Sequence, residues 1–104
     1  MILASYRDAD GIRRGGLYPD YESYYKETFS PEIADETIIT LKVPGYGYRR
    51  KKENARELAI RVQAALDDIV FSLSWFDLCA ISDFFYSVGS RFGLLREFRA
   101  NGIC

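Results

Sequence analysis

Four consecutive cations, Arg49-Arg50-Lys51-Lys52, follow Gly45-Tyr46-Gly47-Tyr48, and this run holds the densest set of binding chemistry in the chain. Converging guanidinium and ammonium groups can grip a phosphate or a partner's carboxylates, while Tyr46 and Tyr48 can stack on a base or line a protein contact. A long helical pattern begins at Lys51, so helix N–H groups would join them in an anion site. The plainer reading is a solvated loop whose charges are partly neutralised by Glu53 and Glu57. Gly45-Tyr46-Gly47 lacks the later glycine and the βαβ setting of a dinucleotide fingerprint.

Histidine is absent. That excludes imidazole acid–base chemistry, Ser–His and Cys–His nucleophile pairs, and the usual zinc sites. Carboxylates, lysines and tyrosines remain, and none stands at a recognised catalytic spacing. The expectation is a protein that is not an enzyme and carries no metal or cofactor, with a carboxylate-based enzyme as the remaining catalytic option. Cys79 and Cys104 do not form a disulfide framework. Cys79 reads as a small core residue and Cys104 as an exposed thiol able to form a mixed disulfide under oxidising conditions.

Two further groups of residues invite a functional reading. Tyr21, Tyr24, Tyr25, Thr28 and Phe29 recur at helical spacing in an acidic stretch. They form either a stripe packed on the main helix or a tyrosine-rich surface for a protein partner. The second group is the C-terminal pair of helical segments, ISDFFYSVGSRFGLLREFRANG. Counted from Ile81 as a helix-turn-helix, Phe84 and Val88 take apolar positions, Gly89 takes the turn, and Leu95 and Phe98 are apolar again. Arg91, Arg96, Arg99 and Asn101 would then face nucleic acid. Against this stand Phe85 where a small residue is needed, Ser90 where an apolar one is usual, and Asp77 and Asp83, which DNA repels.

The elements that must carry these groups follow from periodicity. Ala55, Leu58, Ala59, Val62, Leu66, Ile69, Leu73 and Phe76 lie on one face of a helix from Lys51 to Phe76, with charged residues opposite. Ser72 and Ser74 interrupt, and Ser74 with Asp77 marks a new helix start at Trp75. Trp75–Val88 is apolar on nearly every side, which predicts a buried central helix ending at Gly89. A last helix capped by Ser90 should close with Gly102 at C′ and a Phe98–Ile103 Schellman pair.

Toward the N-terminus the signals are weaker. Met1–Tyr6 reads as an edge strand and Asp8–Gly16 as a loop, so residues 1–17 are expected to be partly flexible. Arg13-Arg14-Gly15-Gly16 is too short for an arginine–glycine tract. Pro19 and Asp20 open the tyrosine helix, and Ser30-Pro31-Glu32 predicts a second short helix over Pro31–Glu36. Thr37–Val43 is the best strand, with Pro44-Gly45 as its turn. It needs Met1–Tyr6, an arm near Tyr46–Arg49, or another chain to pair with.

The chain of 104 residues reads as a single domain over residues 1–104, in the α+β class and mainly α. Its parts are a long central amphipathic helix, a buried aromatic helix, a short C-terminal helix and a minor strand element. The apolar content of 48% is that of a folded protein. No run reaches membrane-spanning length and the N-terminus does not read as a signal peptide, so a cytoplasmic, reduced protein is expected. A net charge of −1 hides segregation: residues 49–61 hold six cations and two carboxylates, whereas residues 62–88 hold four carboxylates and no cation. These features suit a small non-enzymatic regulator or inhibitor that docks on a larger protein or protein–nucleic acid complex, such as a nucleic-acid-processing enzyme. Accessory genes of phages and mobile elements often encode such proteins. The alternative is a transcriptional regulator that reads DNA through the C-terminal helix pair.

Overall fold

A short strand run at the start of the chain supplies the spine of the fold. The computed structural model describes residues 1–28 and 32–104. Strands β1 (Ile2–Arg7), β2 (Arg13–Tyr18) and β3 (Ala34–Thr40) form an antiparallel sheet in the order β2-β1-β3. β1 was expected at an edge, yet it is central. It is the strand with an unbroken buried run, Ile2 to Ser5, so covering both of its edges satisfies the backbone groups most removed from water.

Residues 8–16 do not form one loop. The turn closes on Asp8, whose carboxylate accepts the Asp10 and Ile12 N–H groups at 2.9 Å and the Arg14 Nε at 2.6 Å. β2 starts immediately after it. Gly15 and Gly16 resemble turn residues by composition, but Gly15 serves a close approach. A Cβ there would lie 2.3 Å from Ile69 Cδ1 and 2.6 Å from the Ala4 carbonyl oxygen. The glycine lets a helix end lie directly on the strand.

β3 begins three residues before the expected strand and ends three residues before its end. The last ladder bond runs from the Leu41 N–H to the Met1 carbonyl at 2.9 Å, and Lys42 N–H then turns back onto the Thr40 carbonyl. Pairing instead extends the other way, where Ala34 opposes Arg7 across a bulge. The helix expected over Pro31–Glu36 is therefore replaced from Ala34 onward by strand. Asp35 holds φ 53 there, its carbonyl accepts from Arg13 and its carboxylate pairs with Arg7. Phe29, Ser30 and Pro31 lie outside the described residues.

The two faces of the sheet are covered unequally. Helix α1 (Tyr21–Thr28) lies over one, where Ile2, Ala4 and Tyr24 make a small cluster with Tyr6, Tyr18 and Ile38. On the other face Leu3 and Ile39 join the main core, built with α2 (Tyr48–Ile69), α3 (Trp75–Phe92) and α4 (Leu95–Ala100). The mainly α, α+β architecture read from the sequence is the one found.

α2 buries the expected face through Ala55, Leu58, Ala59, Val62 and Ile69. It stops seven residues before Phe76, passing into a 3-10 turn at Val70–Ser72. Leu73 is the last residue of that face to be buried, and Ser74 then caps α3 by accepting the Asp77 N–H at 3.1 Å. Because the chain changes direction there, the α2 periodicity does not carry on to Phe76, which points outward.

α3 runs straight through the expected stop at Gly89. That glycine is buried, with Phe98 and the Leu95 backbone close over it. It is the place where α4 crosses α3 rather than a helix end. The stop is Gly93 (φ 69), and Ser90 caps nothing. α4 ends as read from the sequence: Ile103 N–H bonds the Phe98 carbonyl at 2.9 Å and Gly102 N–H the Arg99 carbonyl at 3.2 Å, the two bonds of a Schellman motif.

Candidate functional site

The basic run occupies the loop before α2 and the first turns of that helix. Asn54 Nδ2 donates to the Pro44 carbonyl at 2.8 Å and so holds the loop against the helix. Gly47 is the N-cap and offers no side chain to the first N–H groups. Tyr46 is 96% exposed, and Arg49 and Arg50 also face solvent. The other members are partly engaged. Tyr48 leans its ring on Phe92, with centroids 5.7 Å apart, and carries Lys52 Nζ 6.0 Å above its own ring. Lys51 is half-buried and turns toward β3. The four cations therefore splay around the helix start.

The tyrosine stripe divides. Tyr24, expected at a contact surface, is 1% exposed and packs inside; Tyr21 and Tyr25 remain at the surface. The stripe packs on the sheet, not on the main helix, because α1 follows β2 directly and closes the face that α2 does not cover. Tyr24 donates its hydroxyl to Glu36 Oε2 at 2.7 Å, beside Tyr6 and Tyr18. Burial, and next the Glu36 carboxylate, hold its phenol in the neutral form to well above the ordinary tyrosine range.

The C-terminal pair does not adopt the expected helix-turn-helix count, since Gly89 sits inside α3 and α4 spans six residues. Arg99 lies 5.9 Å from the Tyr86 ring and Arg91 5.9 Å from the Phe92 ring. Asn101 is structural: its side chain bonds the Glu97 carbonyl, and its own carbonyl accepts from Gln63 on α2. Arg96 alone of the four has no such contact among the described residues. Arg56 and Glu97 add an ion pair at 3.0 Å between α2 and α4.

Sequence reasoning missed a group of exposed apolar residues at one joint. At the joint between α2 and α3, Phe71, Trp75 and Phe76 are 66%, 75% and 84% exposed, with Val70 beside them. Trp75 also walls a 370 Å³ hollow lined by Leu78, Cys79, Ser82 and Asp83. Cys79 is accordingly half-exposed on this hollow and not a core residue. α3 is thus buried along one face only. A signal was present: Val70 and Phe71 fall off the α2 apolar series, and the serines that break the helices are flanked by aromatics on both sides. Asp67, Asp68, Asp77 and Asp83 lie on either side of the joint along the chain, in a segment without a cation, and Asp83 shares the hollow with Trp75.

Among the described residues no group of three or more His, Cys, Asp or Glu is placed to hold a metal ion, and no helix is long and apolar enough to cross a membrane. Comparison with protein-family models, with curated proteins and with solved structures finds no match to this chain.

Proposed function

We propose that this chain is a non-enzymatic docking module, a small regulator or inhibitor that seats an aromatic tip in a larger protein. The observation that carries this reading is the exposure of Phe71, Trp75 and Phe76 together at one joint. A large aromatic side chain brings about 150–250 Å² of contact surface, and clustered exposed rings of this kind mark interaction surfaces. The four aspartates on either side of it along the chain give the partner a chemistry: an apolar pocket with a basic rim. The outward cations of the Tyr46–Lys52 run, at the opposite end of α2, supply a second and opposite charge signature that fixes orientation.

The test replaces Phe76 with a photo-crosslinking benzoylphenylalanine, identifies the protein captured in cells, and measures its affinity for the purified chain. Phe71→Ser with Trp75→Ser should abolish that affinity while leaving the circular dichroism and the unfolding midpoint unchanged. A partner bound equally well by the doubly substituted chain would overturn the reading. Crosslinks between copies of this chain alone would do the same.

A further inference from the structure

β3 leaves one edge of the sheet open, and a groove runs beside it. In the β1–β3 ladder the Leu41 N–H bonds Met1, so Ile39 and Thr37 likewise turn their backbone groups toward β1. Ile38 and Thr40 alternate with them and turn theirs outward. Both residues line a cleft of about 670 Å³ between this edge, the Pro44–Tyr46 loop and the flank of α2. Leu58 and Val43 supply apolar lining; Lys42, Lys51 and Arg61 stand around it against one carboxylate, Glu57. None of these three cations has an ion pair among the described residues.

The far wall is built to stay in place. Gly45 holds φ 108, and a Cβ there would meet Asn54 Nδ2 at 2.7 Å and Arg50 Cγ at 3.0 Å. Only glycine allows the loop to sit this close to α2, where the Asn54–Pro44 bond pins it. At its other end the edge is closed to long pairing by the bulge at Asp35 and by Glu36, held by Tyr24. Such a bulge blunts indiscriminate sheet-to-sheet contact and leaves a short, defined stretch for recognition.

We propose that this groove takes an extended acidic peptide of a partner protein, added as a fourth strand beside β3. The Ile38 and Thr40 N–H groups and the Ile38 carbonyl pair with its backbone. The side chains on every second residue, those facing α2, supply both the carboxylates that meet Lys51 and Arg61 and the apolar group that rests on Leu58, with Lys42 and Val43 at the end of the groove. This site lies on residues separate from the aromatic tip and stands whether or not the tip docks.

The test selects random dodecapeptides displayed on phage against the intact chain, then measures the winners as labelled synthetic peptides. The selected set should carry Asp or Glu and an apolar residue at positions two or four apart, on the strand face turned to α2. N-methylation of alternate backbone amides should abolish binding, and the Ile38 and Thr40 amides should gain protection from hydrogen exchange in the complex. Lys42→Glu with Arg61→Glu, which reverses two charge contacts, should weaken binding by about tenfold or more, with the fold checked by circular dichroism. A basic consensus, no consensus, or winners indifferent to both the N-methyl groups and the charge reversals would overturn the proposal. So would a single-stranded oligothymidylate that displaces the winners and binds more tightly than they do, since the groove would then be a phosphate-backbone track.

Discussion

The two ends of α3 carry the same kinds of residue and meet opposite fates. In the C-terminal half Phe85, Val88, Gly89 and Phe92 are sealed by α2 and α4, and Phe85 meets Phe98 edge-on at 5.8 Å. In the first turn Trp75 and Phe76 stand in solvent. What differs is the presence of a crossing element. α4 folds back over Gly89, where the missing side chain admits it, whereas at the joint after α2 the 3-10 turn rests on β2 and leaves Phe71, Trp75 and Phe76 outward. Aromatic content therefore marks where burial is available, and the crossing element decides whether it happens within the chain.

The sharpest way to break this contrast is to truncate one ring at each end. Phe85→Ala or Phe98→Ala should cost about 3–5 kcal/mol, the usual loss for a buried phenylalanine. Phe76→Ala should stay within about 0.5 kcal/mol of the parent, as exposed positions do. Urea unfolding measures both. Similar losses at the two ends would mean that the tip is covered in solution, by a second copy of the chain or by a rearranged segment.

A smaller effect probes the crossing itself. Gly89→Ala gains helix propensity, worth about 1 kcal/mol, but its Cβ would sit 3.1 Å from Phe98 Cδ2 and 3.2 Å from Leu95 Cα. The backbone atom cannot yield without moving α4, and overpacking of this sort costs about 1–3 kcal/mol. A net loss is expected. If Gly89→Ala were stabilising, α4 would not be crossing there.

How much of this was legible depends on whether a residue's role is local. The Ser74 cap, the Phe98–Gly102–Ile103 ending and the α2 face from Ala55 to Ile69 rest on spacing within one helix, and all three are present. Gly15 and Gly89 were misread because a glycine that ends an element and one that admits a neighbour look alike in one dimension. β1 was placed at the edge because nothing in its own six residues says how many strands will pair with it. The expected contact residues fared by the same rule. Tyr24 shares its helix and its residue type with Tyr21 and Tyr25, and only the sheet beneath it decides that it is inside. Phe71, Trp75 and Phe76 were overlooked for the complementary reason: apolar residues at a helix joint are assigned to the core unless the direction of the next helix is known.

Trp75 gives a spectroscopic form of the comparison with an effect smaller still. It is the only tryptophan in the sequence, and it reports the open end alone. Its emission maximum should shift little on unfolding, because the indole is already in water, and should move to the blue when a partner covers the tip. A strongly blue native maximum would remove the distinction between the two ends.

The smallest effect expected lies away from both ends, at the turn between β1 and β2. The Arg14 guanidinium first, and then the Ile12 N–H, hold the Asp8 carboxyl below its ordinary value of 3.8. A carboxyl whose pKa is lowered by folding favours the folded state at every pH above its unfolded value, and that contribution fades as pH falls through the lower folded one. The turn should therefore loosen only below about pH 4, and because Asp8 and Arg14 are near the surface the global unfolding midpoint should move little. Amide resonances of Asp10 and Ile12, whose N–H groups the carboxylate accepts, should titrate in that window, and Asp8→Asn should remove the titration. The sealed half of α3 provides the control. Phe85 and Phe98 ring resonances should hold still while the turn titrates, since that pair lies between α3 and α4 whereas Asp8 lies in the β1–β2 turn; if they move together, the sheet and the aromatic core unfold as one unit even under this slight perturbation.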